Sequence, residues 1–321
     1  MRAIAIVLLG LVLFSVAVSA QHPPQLIGLL APDEEPRFSE IASSLRQGLR
    51  EHGYQDQALR ILEARVRRGD TASARTAARE FHAQRVTAMF VVGSVLARIA
   101  REAAPAVPIV FVTPGDPVAA GLVSSLARPG GAMTAMTFEY PELSGKRLEL
   151  MREIAPQARR ILVLYDPADA SPRQGLAAAR VAAAKLGLTL IEREVRTGAD
   201  VGRALAALDS SDALLGIPGG ATSDFYEEMI DAANAKRRPT IFHTRASGTR
   251  AALATYGASD ATVAQQAARL LDKVLKGADA GELPVERPTK ITFVINLNTA
   301  RTLGLTIPPS VLLRVDQVID Q

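Results

Sequence analysis

Short apolar runs alternate with amphipathic stretches along the chain, and the alternation starts a second time near its middle. Runs of this kind are typical of buried strands, and the stretches between them have helical spacing. The strand-like runs are QLIGLLAP, LRILEARV, TAMFVVGS and PIVFVTP, then RILVLYDP, LTLIEREV, ALLGIPGG and PTIFHT. Strands that alternate with helices predict βαβ units and mostly parallel sheets. We therefore expect an α/β fold with two doubly wound, parallel-sheet lobes.

The predicted helices lie between these runs. We expect them at residues 37–52, 71–84 and 95–103 in the first copy, and at residues 175–187, 200–208 and 224–237 in the second. The segment at residues 130–142, GGAMTAMTFEYPE, is rich in small and turn residues and has no helical period. Because such composition marks a connection, we place the boundary between the two copies there.

Composition narrows the class of protein. With 321 residues, of which 48% are hydrophobic, the chain is long enough for two cores. The formal net charge is +4, but bases alternate with acids in LRQGLREHG and KRLELMREI. This pattern favours solvated helix faces over a nucleic-acid surface. An aromatic content of 4% without Trp argues against a binding platform of many stacked rings.

The N terminus has the pattern of an export signal. A basic start is followed by an uncharged run over residues 3–18, and the tripeptide VSA precedes Gln21. These features predict a cleavable signal peptide over residues 1–20, and hence a periplasmic protein. An uncleaved anchor is the alternative, but the apolar run is shorter than the roughly 20 residues that a spanning helix needs. The chain has no Cys, so we expect neither a cysteine-linked lipid nor a disulfide.

The ends of the predicted strands are the places to search for a site. In open parallel sheets, ligands bind beyond the carboxyl ends of the strands, where loops and helix N termini meet. These ends are residues 31–37, 93–95 and 113–117 in the first copy, and residues 165–171, 216–224 and 243–247 in the second. Two lobes that face each other through these ends form a cleft able to close over a small solute.

Three blocks of the chain carry a family resemblance. They are VPIVFVTPGDPVAAGLVSSLARPGG, GKRLELMREIAPQARRILVLYDP and ELPVERPTKITFVINLNTARTLGLTIPPSVLLRVDQVID. Together with their spacing, they resemble the solute-binding proteins of bacterial ABC importers, in the tryptophan- and tyrosine-binding group. The resemblance runs from about residue 25 to the C terminus. It implies a type I periplasmic-binding fold, a small-molecule ligand and a membrane permease as partner.

The same resemblance implies how the chain is divided. Lobe one is expected to contain residues 25–136 and about 258–285, and lobe two residues 137–257 and about 286–321, with the ligand cleft between them. The crossings are expected around AMTFEY, ATYGASD and VERPTK. We expect a monomer whose lobes rotate about these crossings when ligand binds.

The chain departs from the family pattern at the strand ends. VGSVLA stands where relatives usually have a Thr-Gly-Gly type loop, and DPADAS where an Asn-rich tip is common. GIPGGATSDF replaces an aromatic-containing tip, and HTRASGTRAALATYG replaces an acidic and aromatic segment. Each change falls where the ligand should lie, so the resemblance implies the fold and broad role but not the ligand.

In the first lobe, four residues are candidate ligand contacts. The backbone N-H groups of Gly93 and Ser94 open a helix and suit a carboxylate, although an ordinary helix cap has the same sequence. Thr113 and Asp116 lie in the turn TPGDP, where Asp116 either binds an ammonium group or simply forms the turn. We expect Pro114 and its neighbours to make a rigid ledge beside the ligand.

In the second lobe, the candidates are at three strand ends. Tyr165 either stacks on the ligand or packs beneath its loop, and Asp166 is a partner for an ammonium group. Gly219 permits close backbone approach, with Thr222 or Ser223 as the cap of the next helix. The last candidates are His243 and Arg245. Arg245 suits a carboxylate, and the alternative for the pair is a solvated loop.

Catalytic and cofactor motifs are not found in the sequence. It contains no Gly-x-Ser-x-Gly elbow, no GxGxxG after the first strand, no phosphate loop and no His or Cys cluster at metal spacing. We therefore expect no enzyme, no cofactor and no metal. A repressor of similar fold needs an N-terminal DNA-binding module, and the first strand follows the predicted signal peptide directly, so we expect no nucleic-acid partner.

The candidate groups favour an anionic head group on the ligand. Hydroxyls, glycine-rich helix N termini and Arg245 suit a carboxylate better than a cation. The rings available to cover an apolar body are Phe38, Tyr140, Tyr165, Phe225 and Phe242. We expect a small carboxylate, either an amino acid or an aromatic or branched acid. A periplasmic sensor that presents ligand to a membrane receptor without import has the same sequence requirements and remains the alternative.

Overall fold

The computed structural model describes residues 25–33, 37–55, 58–67, 69–139, 141–219, 222, 225–244 and 251–320. The predicted signal peptide and the candidates Ser223 and Arg245 lie outside the described residues, as does Tyr140. None of the described helices is long and apolar enough to cross a membrane.

The first sheet is wholly parallel and has the strand order β2-β1-β3-β4-β5. Its strands are β1 (Gln25–Pro32), β2 (Leu59–Val66), β3 (Ala88–Val92), β4 (Ile109–Pro114) and β5 (Met133–Glu139). Its helices are α1 (Arg37–Glu51), α2 (Thr71–Ala83) and α3 (Ser94–Ala103), joined by α8 (Asp260–Leu275) from the C-terminal part. Helices α1 and α8 cover one face, while α2 and α3 cover the other. Because both faces are covered, a central strand such as AMFVV in β3 is buried at every position.

The second sheet has the order β12-β11-β10-β9-β8-β6-β7. Its strands are β6 (Arg160–Tyr165), β7 (Thr189–Glu194), β8 (Ala213–Gly216), β9 (Thr240–Phe242), β10 (Ala254–Gly257), β11 (Thr292–Asn296) and β12 (Gln317–Ile319). Its helices are α4 (Pro141–Ile154), α5 (Ala170–Leu186), α6 (Gly198–Leu205), α7 (Tyr226–Ala235), α9 (Leu297–Leu303) and α10 (Pro309–Leu312). All neighbouring strands are parallel except β10 and β11, which are antiparallel because the chain re-enters the sheet from the opposite direction.

Within the described residues, the chain passes between the sheets three times. It leaves the first sheet after β5, returns to it after β10 as α8, and goes back through residues 283–291 to β11. The first and last passages pair with each other, since the N-H of Thr137 donates to the Glu286 carbonyl and the N-H of Glu286 to the Ala135 carbonyl, both at 2.9 Å. The passages therefore lie side by side.

Helix α8 is separated from α1 in sequence but packs closely against it. A β-carbon added at Gly48 would lie 2.5 Å from the Gln265 carbonyl oxygen and 2.7 Å from the Ala268 β-carbon. At the helix N termini, Arg37 Nε donates to Asp260 Oδ2 at 2.8 Å across 223 positions of sequence. The close approach at Gly48 of α1 and the ion pair between Arg37 and Asp260 thus hold α8 against the first sheet.

Two predictions about helices are wrong. The stretch KRLELMREI was interpreted as a solvated face, but Arg147 has an exposed fraction of 0%. It lies at helical spacing between the buried Ser144 and Met151, so it belongs to the stripe that faces the core. Helix α5 begins at Ala170 rather than at residue 175, because Asp169 caps it by accepting from the Ser171 N-H at 3.0 Å.

Candidate functional site

A cavity of about 310 Å³ lies between the carboxyl ends of the two sheets. The first sheet contributes residues that end or follow β1 to β4, such as Pro32, Gly93 and Pro114. The second contributes residues after β6, β8 and β9, such as Asp166 and His243. This is the position expected for a ligand site in parallel sheets, and the volume is at the lower end of the range of small-molecule pockets, about 300 to 1,000 Å³.

The structure brings five of the predicted contacts to this cavity. They are Gly93, Ser94, Asp166, Gly219 and His243. Four other predicted contacts, Thr113, Asp116, Tyr165 and Thr222, do not line it. Ser223 and Arg245 lie outside the described residues.

The wall from the first sheet is largely apolar. Val92 and Val112 lie at the ends of β3 and β4, and Leu96 and Ile99 come from the first turns of α3. Phe138, in β5, adds the aromatic ring. An apolar ligand body therefore has a surface to pack against on this side.

Phe138 was missed in the sequence, and the described rings that were predicted to cover the ligand do not line the cavity. Phe38 and Phe242 are core residues with exposed fractions of 1% and 0%. Phe225 packs over Gly198, where an added β-carbon would lie 2.7 Å from the ring. Phe138 lies on β5, the strand that leads from one sheet to the other. This strand was interpreted as a connection, so its residues were not among the strand ends searched for a site.

The first turn of α3 faces the cavity without a side-chain cap. Gly93 precedes it with φ of 98°, a backbone conformation that favours glycine, and has no side chain to cap the helix. Helices α2 and α5 also begin at the cavity, but Asp70 and Asp169 cap them by accepting backbone N-H groups. An uncapped N terminus carries partial positive charge and donors aimed outward, so α3 suits an anion.

His243 follows β9 and is 4% exposed. Its ring stacks against Phe138 with 6.4 Å between centroids and meets the edge of Tyr226 at 5.2 Å. Burial lowers the pKa of His243 well below its usual range, and the positive charges of Arg147 and Arg37 lower it further. Its Nδ1 atom has no hydrogen-bond partner within the described part of the chain. His243 thus lies in the cavity wall as a neutral imidazole whose buried Nδ1 has no partner among the described residues.

Charged side chains of both signs surround the cavity. Arg37 lines it and binds Asp260 through two contacts, of 2.8 and 3.4 Å. Arg196 and Asp166 line it from the second sheet, where Asp166 Oδ1 also accepts from the Ala168 N-H at 2.8 Å. Among the described residues, no cluster of His, Cys, Asp and Glu could hold a metal ion.

The turn at residues 113–117, here called the β4 turn, contacts α5 of the second sheet. The Asp116 N-H donates to Gln174 Oε1 at 3.1 Å, and Ser171 Oγ donates to the Pro114 carbonyl. Gly115 lies between them, and its carbonyl accepts from Thr137 Oγ1. The turn is therefore held by side chains from both sides of the cleft.

The side chains of the β4 turn are occupied within the turn itself. Thr113 is 1% exposed, and its hydroxyl donates to the Pro114 carbonyl at 3.1 Å. Asp116 Oδ1 accepts from the Val118 N-H at 2.8 Å, as an Asp in a tight turn does. The turn itself is present, and Pro114 lines the cavity. Its role as a ledge for the ligand and ligand contact by Thr113 and Asp116 stay predictions.

Tyr165 and Thr222 support the walls of the site. The Tyr165 hydroxyl donates to Glu194 Oε1 at 3.1 Å, across the pair of strands at the edge of the second sheet. Thr222 is wholly buried, and its hydroxyl donates to the Ile217 and Gly219 carbonyls at 3.0 and 2.8 Å. Thr222 thereby fixes the loop that brings Gly219 to the cavity.

Residues 27–319 match the family model described as ABC transporter substrate binding protein. The chain belongs to this family. It is 25% identical over 283 residues to a tyrosine-binding protein of Clostridioides difficile (strain R20291), which covers 87% of this chain and 81% of the relative. The fold and family expected from the sequence blocks are confirmed.

Solved structures share the architecture. A conserved domain protein from Vibrio cholerae O1 biovar El Tor superposes with a TM-score of 0.82 and 29% identity, covering 92% of this chain and 99% of that one. The ABC domain from Streptococcus pneumoniae in complex with L-Trp gives a TM-score of 0.82 and 24% identity, covering 92% and 100%. The two-sheet arrangement is the type I periplasmic-binding fold.

Proposed function

We propose that this protein is an extracytoplasmic solute-binding protein that captures an amino acid or related small carboxylate and delivers it to an ABC importer. Membership of the substrate-binding family supports the role of capture. The observation that carries the proposal is the cavity of about 310 Å³ between the two sheets, which combines an apolar wall with an uncapped helix N terminus. The ligand is bound without chemical change.

The ligand carboxylate is assigned to the start of α3. The Ser94 hydroxyl and the first N-H groups of the helix offer donors there, and the helix dipole favours negative charge. An ammonium group is assigned to Asp166, which lines the opposite side of the cavity. The apolar body packs on Val92, Val112 and Phe138. The tyrosine-binding relative and the L-Trp complex make an aromatic amino acid the first candidate.

Each sheet with its helices is proposed to be one lobe. Lobe one contains β1 to β5 with α8, and lobe two contains β6 to β12. The hinge is proposed to lie in the three passages, of which the pairing of Thr137 with Glu286 forms the centre. Rotation there brings the start of α3 towards the strand ends of the second sheet.

Export is part of the proposal. Residues 1–20 carry the pattern of a cleavable signal peptide, so the mature chain begins at Gln21 in the periplasm. N-terminal sequencing of protein released by osmotic shock measures this directly. A chain that still begins at Met1 in that fraction contradicts it.

A thermal-shift screen of the mature protein against amino acids, aromatic acids and other small carboxylates tests the ligand class. At one hundred times its dissociation constant, a ligand stabilises the protein by about 2.7 kcal/mol. We expect a rise in melting temperature with an aromatic amino acid, and a smaller rise in Ser94→Ala. Recovery of the unchanged ligand after incubation tests that no reaction occurs.

Transport needs a separate experiment in cells. Deletion of the gene is expected to abolish uptake of the radiolabelled ligand found in the screen, and the plasmid-borne gene is expected to restore it. Unchanged uptake in the deletion strain, together with tight binding in vitro, would instead favour a sensing role.

A further inference from the structure

We propose that Ser171 and Gln174 of α5 are positioning residues that hold the two lobes together without touching the ligand. Both bind the β4 turn across the cleft, and this pair of bonds is here called the interlobe contact. Because of it, a fraction of the molecules is closed before any ligand binds. The inference rests on the proposed function, since it takes the two sheets with their helices as lobes that rotate.

The interlobe contact lies beside the cavity and outside its wall. Pro114 and Asp169 line the cavity, whereas the side chains that make the contact do not. Ser171 is 6% exposed, and its Oγ donates to the Pro114 carbonyl. Gln174 is half-buried, and its Oε1 accepts from the Asp116 N-H at 3.1 Å. A change at Ser171 or Gln174 therefore alters the contact between the lobes and removes no group from the cavity wall.

The β4 turn fits closely against α5. Gly115 has φ of 82°, a backbone conformation that favours glycine. A β-carbon added there would lie 2.7 Å from Ser171 Oγ and 2.8 Å from Ser171 Cβ. Because the two lobes touch here through their own atoms, closure at this place does not require a ligand.

The β4 turn is also bound to the proposed hinge. Its Gly115 carbonyl accepts from Oγ1 of Thr137, a residue of β5 that is 3% exposed. The N-H of Thr137 donates to the Glu286 carbonyl at 2.9 Å, where the first and last passages pair. The turn is thus fixed relative to the hinge, and α5 meets it when the second lobe rotates inwards. Hydrogen bonds made in one arrangement only shift the population towards that arrangement.

The expected shift is moderate. On opening, water replaces each partner, so one such bond changes the ratio of closed to open molecules by about two- to tenfold. Open molecules therefore persist without ligand, and a bound ligand adds to the closed population through its own contacts.

The distance between two spin labels tests the inference without any ligand. The chain contains no Cys, so labels attach only at Arg79→Cys on α2 and Val181→Cys on α5, both exposed positions. Pulsed electron paramagnetic resonance of the ligand-free, labelled parent is expected to show a shorter and a longer distance. Gln174→Met removes the acceptor and Ser171→Ala the donor, and each is expected to lower the ratio of short to long distances by about two- to tenfold.

Arg173→Met is the matched control for Gln174→Met. Arg173 is the exposed neighbour of Gln174 on α5, but its Nη1 donates to the Pro167 carbonyl of the same lobe, at 2.7 Å. This variant is expected to keep the distances of the parent. Unchanged distances in both Gln174→Met and Ser171→Ala overturn the inference, and so does a single long distance in the ligand-free parent.

Titration with L-tryptophan and L-tyrosine distinguishes positioning from ligand contact. Gln174→Met is expected to weaken both by the same factor, of about two- to tenfold, through faster release. Unequal factors would place Gln174 in contact with the ligand and overturn its role as a positioning residue. Binding of neither amino acid by the parent contradicts the ligand proposed above and not the interlobe contact, which the label distances decide.

Discussion

His243 is buried as a neutral imidazole, so folding and protonation compete at this residue. Its pKa is lowered by burial and by Arg147 and Arg37, whereas in the unfolded chain it is about 6.5. As pH falls, the unfolded chain therefore binds a proton at His243 before the folded protein does. The stability contributed by the neutral form is complete above about pH 6.5 and is lost as pH falls towards the lowered value.

This competition predicts a pH effect that His243→Phe removes. Between about pH 7 and pH 5, we expect the melting temperature of the wild-type protein to fall more steeply than that of the variant. The control is His82→Gln, at an exposed position of α2, which is expected to keep the wild-type slope. Parallel curves for the wild-type protein and His243→Phe would refute the buried neutral state.

Arg147 is the second residue whose burial has a measurable consequence. Its Nε donates to the Tyr256 carbonyl at 2.8 Å and joins α4 to β10. We expect Arg147→Met to lower the free energy of unfolding by about 1 to 3 kcal/mol, because that carbonyl loses its donor. The neighbouring Lys146→Met removes a half-exposed charge and is expected to change it by less than about 0.5 kcal/mol. Urea unfolding of both variants measures the difference, and equal effects would contradict this role of Arg147.

The site residues show which parts of a binding site a sequence can predict. Gly93, Ser94 and His243 were predicted because they directly follow strands and carry helix-opening or polar groups. Thr113 and Tyr165 also end strands, but hydrogen bonds to the Pro114 carbonyl and to Glu194 occupy their hydroxyls. The end of a strand can be predicted from the sequence. The partner of a side chain cannot, because it can be the next residue, as for Thr113, or a residue of a neighbouring strand, as for Tyr165.

Elements were predicted best where their pattern was unbroken. β1 and β2 match the predicted runs at both ends. β1 is a nearly continuous apolar run, whereas β2, at the edge of the first sheet, alternates apolar residues with the exposed Arg60, Glu63 and Arg65. The start of α5 was misplaced because Pro172 lies within its first turn, where proline is in fact tolerated. The buried stripe of α4 was missed because its Arg147 was read as a surface charge.

The β4 turn makes a prediction about contact between the sheets. A β-carbon at Gly115 would lie 2.7 Å from Ser171 Oγ and 3.0 Å from its Cα, so Gly115→Ala is expected to push the turn away from α5. Gly121→Ala is the matched control, since Gly121 also has positive φ but nothing within 4 Å. Both variants carry the backbone strain, of about 1 to 2 kcal/mol.

Ligand affinity is expected to distinguish Gly115→Ala from Gly121→Ala. Only Gly115→Ala is expected to weaken binding of the ligand found by thermal shift, because only it displaces the contact between the β4 turn and α5. Calorimetric titration measures the two dissociation constants. An equal change of the dissociation constant in both variants would assign the effect to backbone strain. It would contradict a role of the β4 turn in ligand binding.

At the scale of the whole molecule, the proposed hinge predicts compaction. Since the sheets are joined only by three passages within the described residues, saturating ligand is expected to decrease the radius of gyration measured by small-angle scattering. A solute that leaves the melting temperature unchanged is the control and is expected to leave the scattering unchanged too. A radius that stays constant with bound ligand would count against rotation of lobes.

The position of α8 has a consequence for biosynthesis. A chain is made from its N terminus, so all five strands of the first sheet and five strands of the second exist before α8 does. Until then, the stripe of α1 that holds Leu45 and Leu49 has no cover, because Ala268 and its neighbours have not been made. A nascent chain that has reached Gly257 exposes this stripe to water, and such surfaces attract chaperones and other unfinished chains. Wherever the chain folds, the first sheet is therefore covered on both faces only once α8 has joined it.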